Sequence, residues 1–239
     1  MNSDIPLGLY GKLPSYGDFI HRNLPNNFIT TWDEWLQIFV AGSKEQMGEN
    51  WLDIYLTSPI WRFVLSAGVI DENHWAGIVL PSVDQVGRYY PFSIAIPLGN
   101  EINPLEFISS NGRWFAHIEE LALQALDGQF SLEELLEQAN HQDKLVPMAY
   151  RKTGQQLQSA SQHIQFQFAE ELPMNVYAHL LDSVFTSTLN SYSVWSTTGS
   201  ENISPCLFTS QGMPSASELP AMMDGNWAHW GWPQTYVAK

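Results

Sequence analysis

Between Pro25 and Met47 apolar and polar positions separate cleanly by helical period. Phe28, Trp32, Trp35, Leu36, Phe39 and Val40 share one face, and Asp33, Glu34 and Gln37 take the other. This predicts a helix capped by Asn26 or Asn27 that stops near Gly42 or shortly after Met47. Before it, residues 7–14 read as a strand ended by proline, and residues 15–22 as a loop or short turn. After it, residues 51–56 form a short helix. The period then changes to two. Residues 60–70 read as a strand with Trp61, Phe63, Leu65, Ala67 and Val69 on one face and Arg62, Val64 and Ser66 on the other. Asp71-Glu-Asn73 turns the chain, residues 74–80 return antiparallel, and residues 92–96 follow as a third strand. A three-stranded meander over 60–98 cannot stand alone and needs helices over it.

Those helices follow. Asn103-Pro-Leu-Glu106 is a capping box with proline at the first helical position, and Asn111-Gly112 interrupts the helix it opens. Trp114, Ile118, Leu121, Ala122 and Ala125 resume the helical period up to Asp127-Gly128. Ser131-Leu-Glu-Glu134 opens a short helix with Leu132, Leu135 and Leu136 inward. Periodicity fades over 141–170, which reads as a surface excursion or mobile linker. Residues 175–189 read as a helix through Val176, Leu180, Leu181 and Val184. Residues 192–197 and 203–209 form a hairpin around Gly199. Ser215 caps a last short helix ending at Gly225, and the tryptophan-rich tail 227–232 packs back on the body. The expected architecture is a single α/β (α+β) domain over 1–239, with a mixed, largely antiparallel sheet flanked by helices.

Length and charge narrow the partners. A 239-residue chain buries roughly 70–75% of its unfolded surface and needs no staples. Cys206 is the lone cysteine, so no internal disulfide forms, which suits a reducing compartment. The first residues lack the basic and apolar regions of a signal peptide, and no apolar run reaches membrane-spanning length. Ten basic residues against twenty-five acidic ones give a net charge of −15. Such a surface repels nucleic acid and anionic lipid, and favours a basic partner.

Most catalytic patterns are missing. The histidines lack metal-ligand spacing, and Gly11-Lys12 lacks the glycine and hydroxyl residue of a phosphate loop. No cofactor or metal is expected. Asp33-Glu34 and Glu119-Glu120 are read as solvated helix carboxylates. The chemically loaded stretch is Pro81 to Phe92. Two prolines bracket it, Gly87 is placed to turn with positive φ, and Asp84 and Arg88 lie four apart, close enough to pair. Ser82 with Asp84 and either His21 or His74 would make a catalytic trio, but no nucleophile elbow surrounds the serine. Lys12, Asp18, Arg22, Arg62, Asp84 and Arg88 thus form a polar set on an apolar frame. They are either loop-locking ion pairs or a recognition surface.

Several motifs stand in order across residues 8–98. They are Gly11-Lys-Leu-Pro-x-x-Gly-Asp-Phe19, Arg22, Leu24-Pro25, Trp32-Asp-x-Trp35 and Trp51-Leu-x-x-Tyr-Leu56. Ser58-Pro-x-Trp-Arg-Phe63, Gly77 and Pro81-Ser-Val-Asp-x-Val-Gly-Arg-Tyr-x-Pro91 complete the block. This strongly resembles the TagF family, also called ImpM, accessory proteins of bacterial type VI secretion. The later chain fits more loosely, through Trp195 and the Met213-Pro214 to Trp227 ending. The resemblance implies a longin- or profilin-like fold and a non-enzymatic, cytoplasmic, post-translational repressor. Its implied partner is the forkhead-associated scaffold protein of the apparatus, alongside the kinase and phosphatase that switch that scaffold. The family's motif residues fall on Lys12, Asp18, Arg22, Trp61, Arg62, Ser82, Asp84 and Arg88. Two alternatives remain open: an enzyme using the Asp18, Arg22, Ser82, Asp84 and Arg88 cluster, or a sensor binding a small anion between Arg22 and Arg88.

Overall fold

A computed structural model describes residues 6–140, 145–150, 165–168, 172–232 and 236. Its centre is a fully antiparallel seven-stranded sheet in the order β2-β1-β5-β4-β3-β6-β7. The strands are β1 (Gly8–Gly11), β2 (Ile20–Arg22), β3 (Trp61–Leu65), β4 (His74–Leu80), β5 (Phe92–Leu98), β6 (Tyr192–Thr197) and β7 (Cys206–Gln211). The expected meander is the middle of this sheet: Phe63 faces Gly77, and Gly77 faces Ala95. The pairings of β1 with β5 and of β3 with β6 extend it on both sides.

Both faces of the central strands are covered, so their sequences read as nearly continuous apolar runs. On one face lie α1 (Asn26–Met47), α2 (Trp51–Thr57) and the C-terminal α7 (Ala221–Asp224). They pack on Trp61, Phe63, Leu65, Trp75, Val79 and Trp195. The other face meets α3 (Pro104–Ser110), α4 (Gly112–Leu126), α5 (Leu132–Asn140) and α6 (Asn175–Leu189) through Val64, Ala76, Ile78, Ile94, Ile96 and Val194. The period-two reading of β3 therefore assigned its faces correctly.

Several boundaries differ from the sequence reading. β3 ends at Leu65, because Gly68 (φ 90°) turns the chain and its N–H reaches Asp71 O at 2.6 Å. Residues 20–22 form an edge strand where a loop was expected; three residues with one buried apolar side chain carry no readable alternation. Neither Asn26 nor Asn27 caps α1. Pro25 occupies the cap position, and Asn27 donates to Asp71. The last hairpin strand starts at Cys206, and the last helix spans only Ala221–Asp224, preceded by a Ser215–Glu218 turn. Ser131 and Glu134 do form the reciprocal capping box. Asn103 caps α3 through its side chain, but Glu106 turns inward instead of back. Most of the 141–170 excursion lies outside the described residues.

Candidate functional site

Antiparallel pairing brings the end of β1, the start of β2, the end of β4 and the start of β5 together at one end of the sheet. Gly11 is opposite both Ile20 and Phe92, and Leu80 is opposite Phe92. The connecting segments 12–19 and 81–91 therefore lie side by side. Gly11 permits the close approach: a Cβ there would sit 2.0 Å from Pro91 O.

Asp84 organises this end. It is 3% exposed. Its Oδ2 accepts from Lys12 Nζ at 2.9 Å and from Arg88 Nε at 2.6 Å, while its Oδ1 accepts from the N–H groups of Arg88 and Val86. Burial works against the carboxylate. The Arg88 backbone N–H, the Lys12 and Arg88 side chains and the Val86 N–H outweigh it and hold its pKa well below the usual carboxylate range. Gly87 makes the turn with φ 85°, and Gly87 N–H donates to Asp84 O.

Further bonds staple the two loops. Arg88 Nη2 donates to Gly17 O at 2.6 Å, Gln85 N–H to Tyr16 O, and Ser82 Oγ to Lys12 O at 2.7 Å. Tyr55 of α2 holds Ser82 from below, accepting from its N–H and donating to its carbonyl. Lys12, 4% exposed, is covered by the Phe19 ring, 4.8 Å from Nζ. Phe19 also stacks on Tyr10 and meets Tyr90 edge to face. Those two phenols converge on Asp33 Oδ1, each at 2.5 Å. Burial, then the bond to Asp33, raises the pKa of both tyrosines.

Six of the eight sequence-derived residues thus gather here: Lys12, Asp18, Arg22, Ser82, Asp84 and Arg88. Asp18 is exposed and accepts from Phe19 N–H; Arg22 is exposed at the end of β2 and donates to His21 O. Both line a shallow depression of about 220 Å³ with Tyr16, Gly17, Phe19, Ile20 and Leu132. The other two lie in mid-sheet, on opposite faces of β3. Trp61 is buried against Phe208 and Trp227 and donates to Met222 O at 2.9 Å. Arg62 grips Glu119 of α4 with two bonds of 2.6 and 2.8 Å, its guanidinium over Phe115.

Glu119 and Asp33 correct the sequence reading, which placed both on solvated helix faces. Each is drawn in by a partner more than twenty positions away, which no local pattern reveals. Ser82 and Asp84 make no catalytic trio with His74, whose Nδ1 accepts from Ala67 N–H. His21 is exposed on β2. Among the described residues, no helix is long and apolar enough to cross a membrane.

Fold and site together define an α/β domain with one antiparallel sheet between two helical layers and a motif-bearing, ion-paired loop end. The chain belongs to the TagF N-terminal domain family, type VI secretion system-associated, whose model matches residues 8–141. It is also similar to PA0076 from Pseudomonas aeruginosa PAO1, known from a 2.05 Å crystal structure. The TM-score is 0.75 at 31% identity, over 98% of this chain and 97% of that one. No curated protein matches the chain. The family match supports a role connected with type VI secretion.

Proposed function

We propose that the chain is a cytoplasmic, non-enzymatic, post-translational repressor of type VI secretion that acts by binding the forkhead-associated scaffold protein of the apparatus. The carrying observation is the build of the loop end. Lys12, Ser82 and Asp84 are buried and hold two loops in register. Asp18, Phe19, Arg22, Val86 and half of Arg88 remain facing water. A rigid frame presenting apolar and charged groups suits docking, because little side-chain freedom is lost on contact. The Ser82 hydroxyl is committed to Lys12 O and the Asp84 carboxylate to two cations, which weighs against a nucleophile and base in this loop. The net charge of −15 favours long-range steering toward a basic surface.

The test is co-purification with the scaffold. Arg22→Glu and Phe19→Ser change exposed residues, and Asp84→Ala changes the frame. Loss of the complex in the first two, with circular dichroism unchanged, places the docking face here. A complex that survives all three makes the loop end structural, and no complex with the unaltered chain sinks the reading. Affinity unchanged between low and high salt removes the steering part. The anion-sensor reading has Arg22 in its favour, which makes no ion pair among the described residues. Arg88 is already engaged by Asp84 and Gly17, however, and Asp18 shares the depression. Calorimetric titration with phosphate tests it, and no heat above dilution removes it.

A further inference from the structure

Helix α6 carries an apolar stripe on a side that does not face the core. Inward, Val176 is buried, and Phe185 and Leu189 pack on the α4-side layer. Outward, Met174 just before the helix, then Tyr177, Leu181 and Val184 are 78%, 45%, 47% and 52% exposed. Leu181 and Val184 belong to the apolar pattern from which the helix was read, and the structure leaves both about half exposed. A helix that is apolar on both sides is ordinarily covered on both. The outward spacing is three, four, three, the seam along which one helix packs on another.

We propose that this stripe is the contact between two copies of the chain, packed as an antiparallel pair of α6 helices. Two observations favour a second copy over another occupant. First, the spacing reads the same from either end and is centred on residue 179. An antiparallel two-fold therefore sets Met174 of one copy on Val184 of the other, and Tyr177 on Leu181. Second, the seam is free of charge in a chain of net charge −15. Apart from Tyr177, the ionisable side chains on α6 are His179 and Asp182. Asp182 accepts from Tyr192 at 2.7 Å, and His179 meets Glu106 of α3 at 2.7 Å. Two such acidic copies repel elsewhere and can approach on an uncharged face. A basic partner is drawn instead to carboxylate-bearing faces such as Glu133 and Glu134 of α5. The seam is short, and Leu172, two positions ahead of Met174, is also half exposed. It belongs with weak interfaces below about 1,200 Å² in total, so dissociation falls in the micromolar range.

Sedimentation of the full chain over a concentration series tests this. The expected result is a monomer–dimer equilibrium, with Leu181→Glu raising the dissociation constant about tenfold or more while circular dichroism stays unchanged. Register is tested in a Cys206→Ala background. Met174→Cys with Val184→Cys in the same chain should give an inter-copy disulfide, and either change alone should give little. A chain that stays monomeric at millimolar concentration, leaving the seam to a helix of another protein, overturns the proposal. So does a dimer insensitive to Leu181→Glu, and so does equal cross-linking by the single and double cysteine variants.

Discussion

The core on the α1 side of the sheet gathers Trp32, Trp35, Trp51, Trp61, Trp75 and Trp195; the core on the α4 side is mainly leucine, isoleucine, valine and alanine. The two layers solve burial differently. Every one of those six indoles has an N–H that must be satisfied, and each finds an acceptor. The acceptors are Ser93, Pro214 O, Ser43, Met222 O, Asp71 and Ser193. The aromatic layer is therefore directional, and two of its bonds fasten the C-terminal segment to α1 and β3 from more than 150 positions away. The aliphatic layer packs without direction. Its polar contacts include the Arg62–Glu119 grip, the Tyr192–Asp182 bond, the buried Asn103 and Asn111, and the buried Glu106, which accepts from Ala149 N–H and meets His179. Directional packing specifies one arrangement, and aliphatic packing tolerates near misses.

The sharpest way to break this contrast is Trp32→Ala. Trp32 is fully buried among Phe28, Trp35, Phe63 and Trp195, and its loss should cost about 3–5 kcal/mol in urea unfolding. A cost under about 2 kcal/mol would show the aromatic layer to be as forgiving as its opposite. Trp61→Phe keeps a ring but leaves Met222 O without its donor, an expected loss of about 1–3 kcal/mol. Amide exchange should then speed up across residues 214–227 before it does in α4.

A third effect belongs to the loop end. The folded-state pKa of Asp84 lies below its unfolded value of about 3.9. Its stabilisation is thus complete above that pH and lost as the pH falls through the folded value. Asp84→Asn should lower stability at pH 7 and flatten its decline below about pH 4; an unchanged acid slope would mean other carboxylates set it. The smallest effect is expected from Ile118→Val in the aliphatic layer, about 0.5–1.5 kcal/mol, with no change in amide exchange on the α1 side.

What could be read from the sequence follows the range of each interaction. The period of α1, the meander, the Asn111-Gly112 break and the Asp84–Arg88 pair are all local, and all stand where expected. Lys12 and Asp84 are 72 positions apart. They were grouped as members of one polar set and again by family motif, and only β1–β5 pairing shows that they touch. Asp33 and Glu119 escaped because a carboxylate on a helix looks solvated until its distant partner is known, and Glu106, read as part of a capping box, instead meets the distant His179. β2 escaped because it is too short to show a period.

The pairing of β3 with β6, Phe63 opposite Trp195, bears on how this protein comes off the ribosome. Synthesis runs from the N-terminus, and the family match ends at residue 141. A nascent or truncated chain that stops there holds β3 as a bare sheet edge, with Trp61 lacking Phe208 and Trp227, Phe63 lacking Trp195, and fifty residues still to come before β6. Such an edge invites pairing with a neighbouring chain. The stretch that defines the family by sequence therefore leaves one edge of its sheet open, and that edge is closed by the strand that arrives last but one.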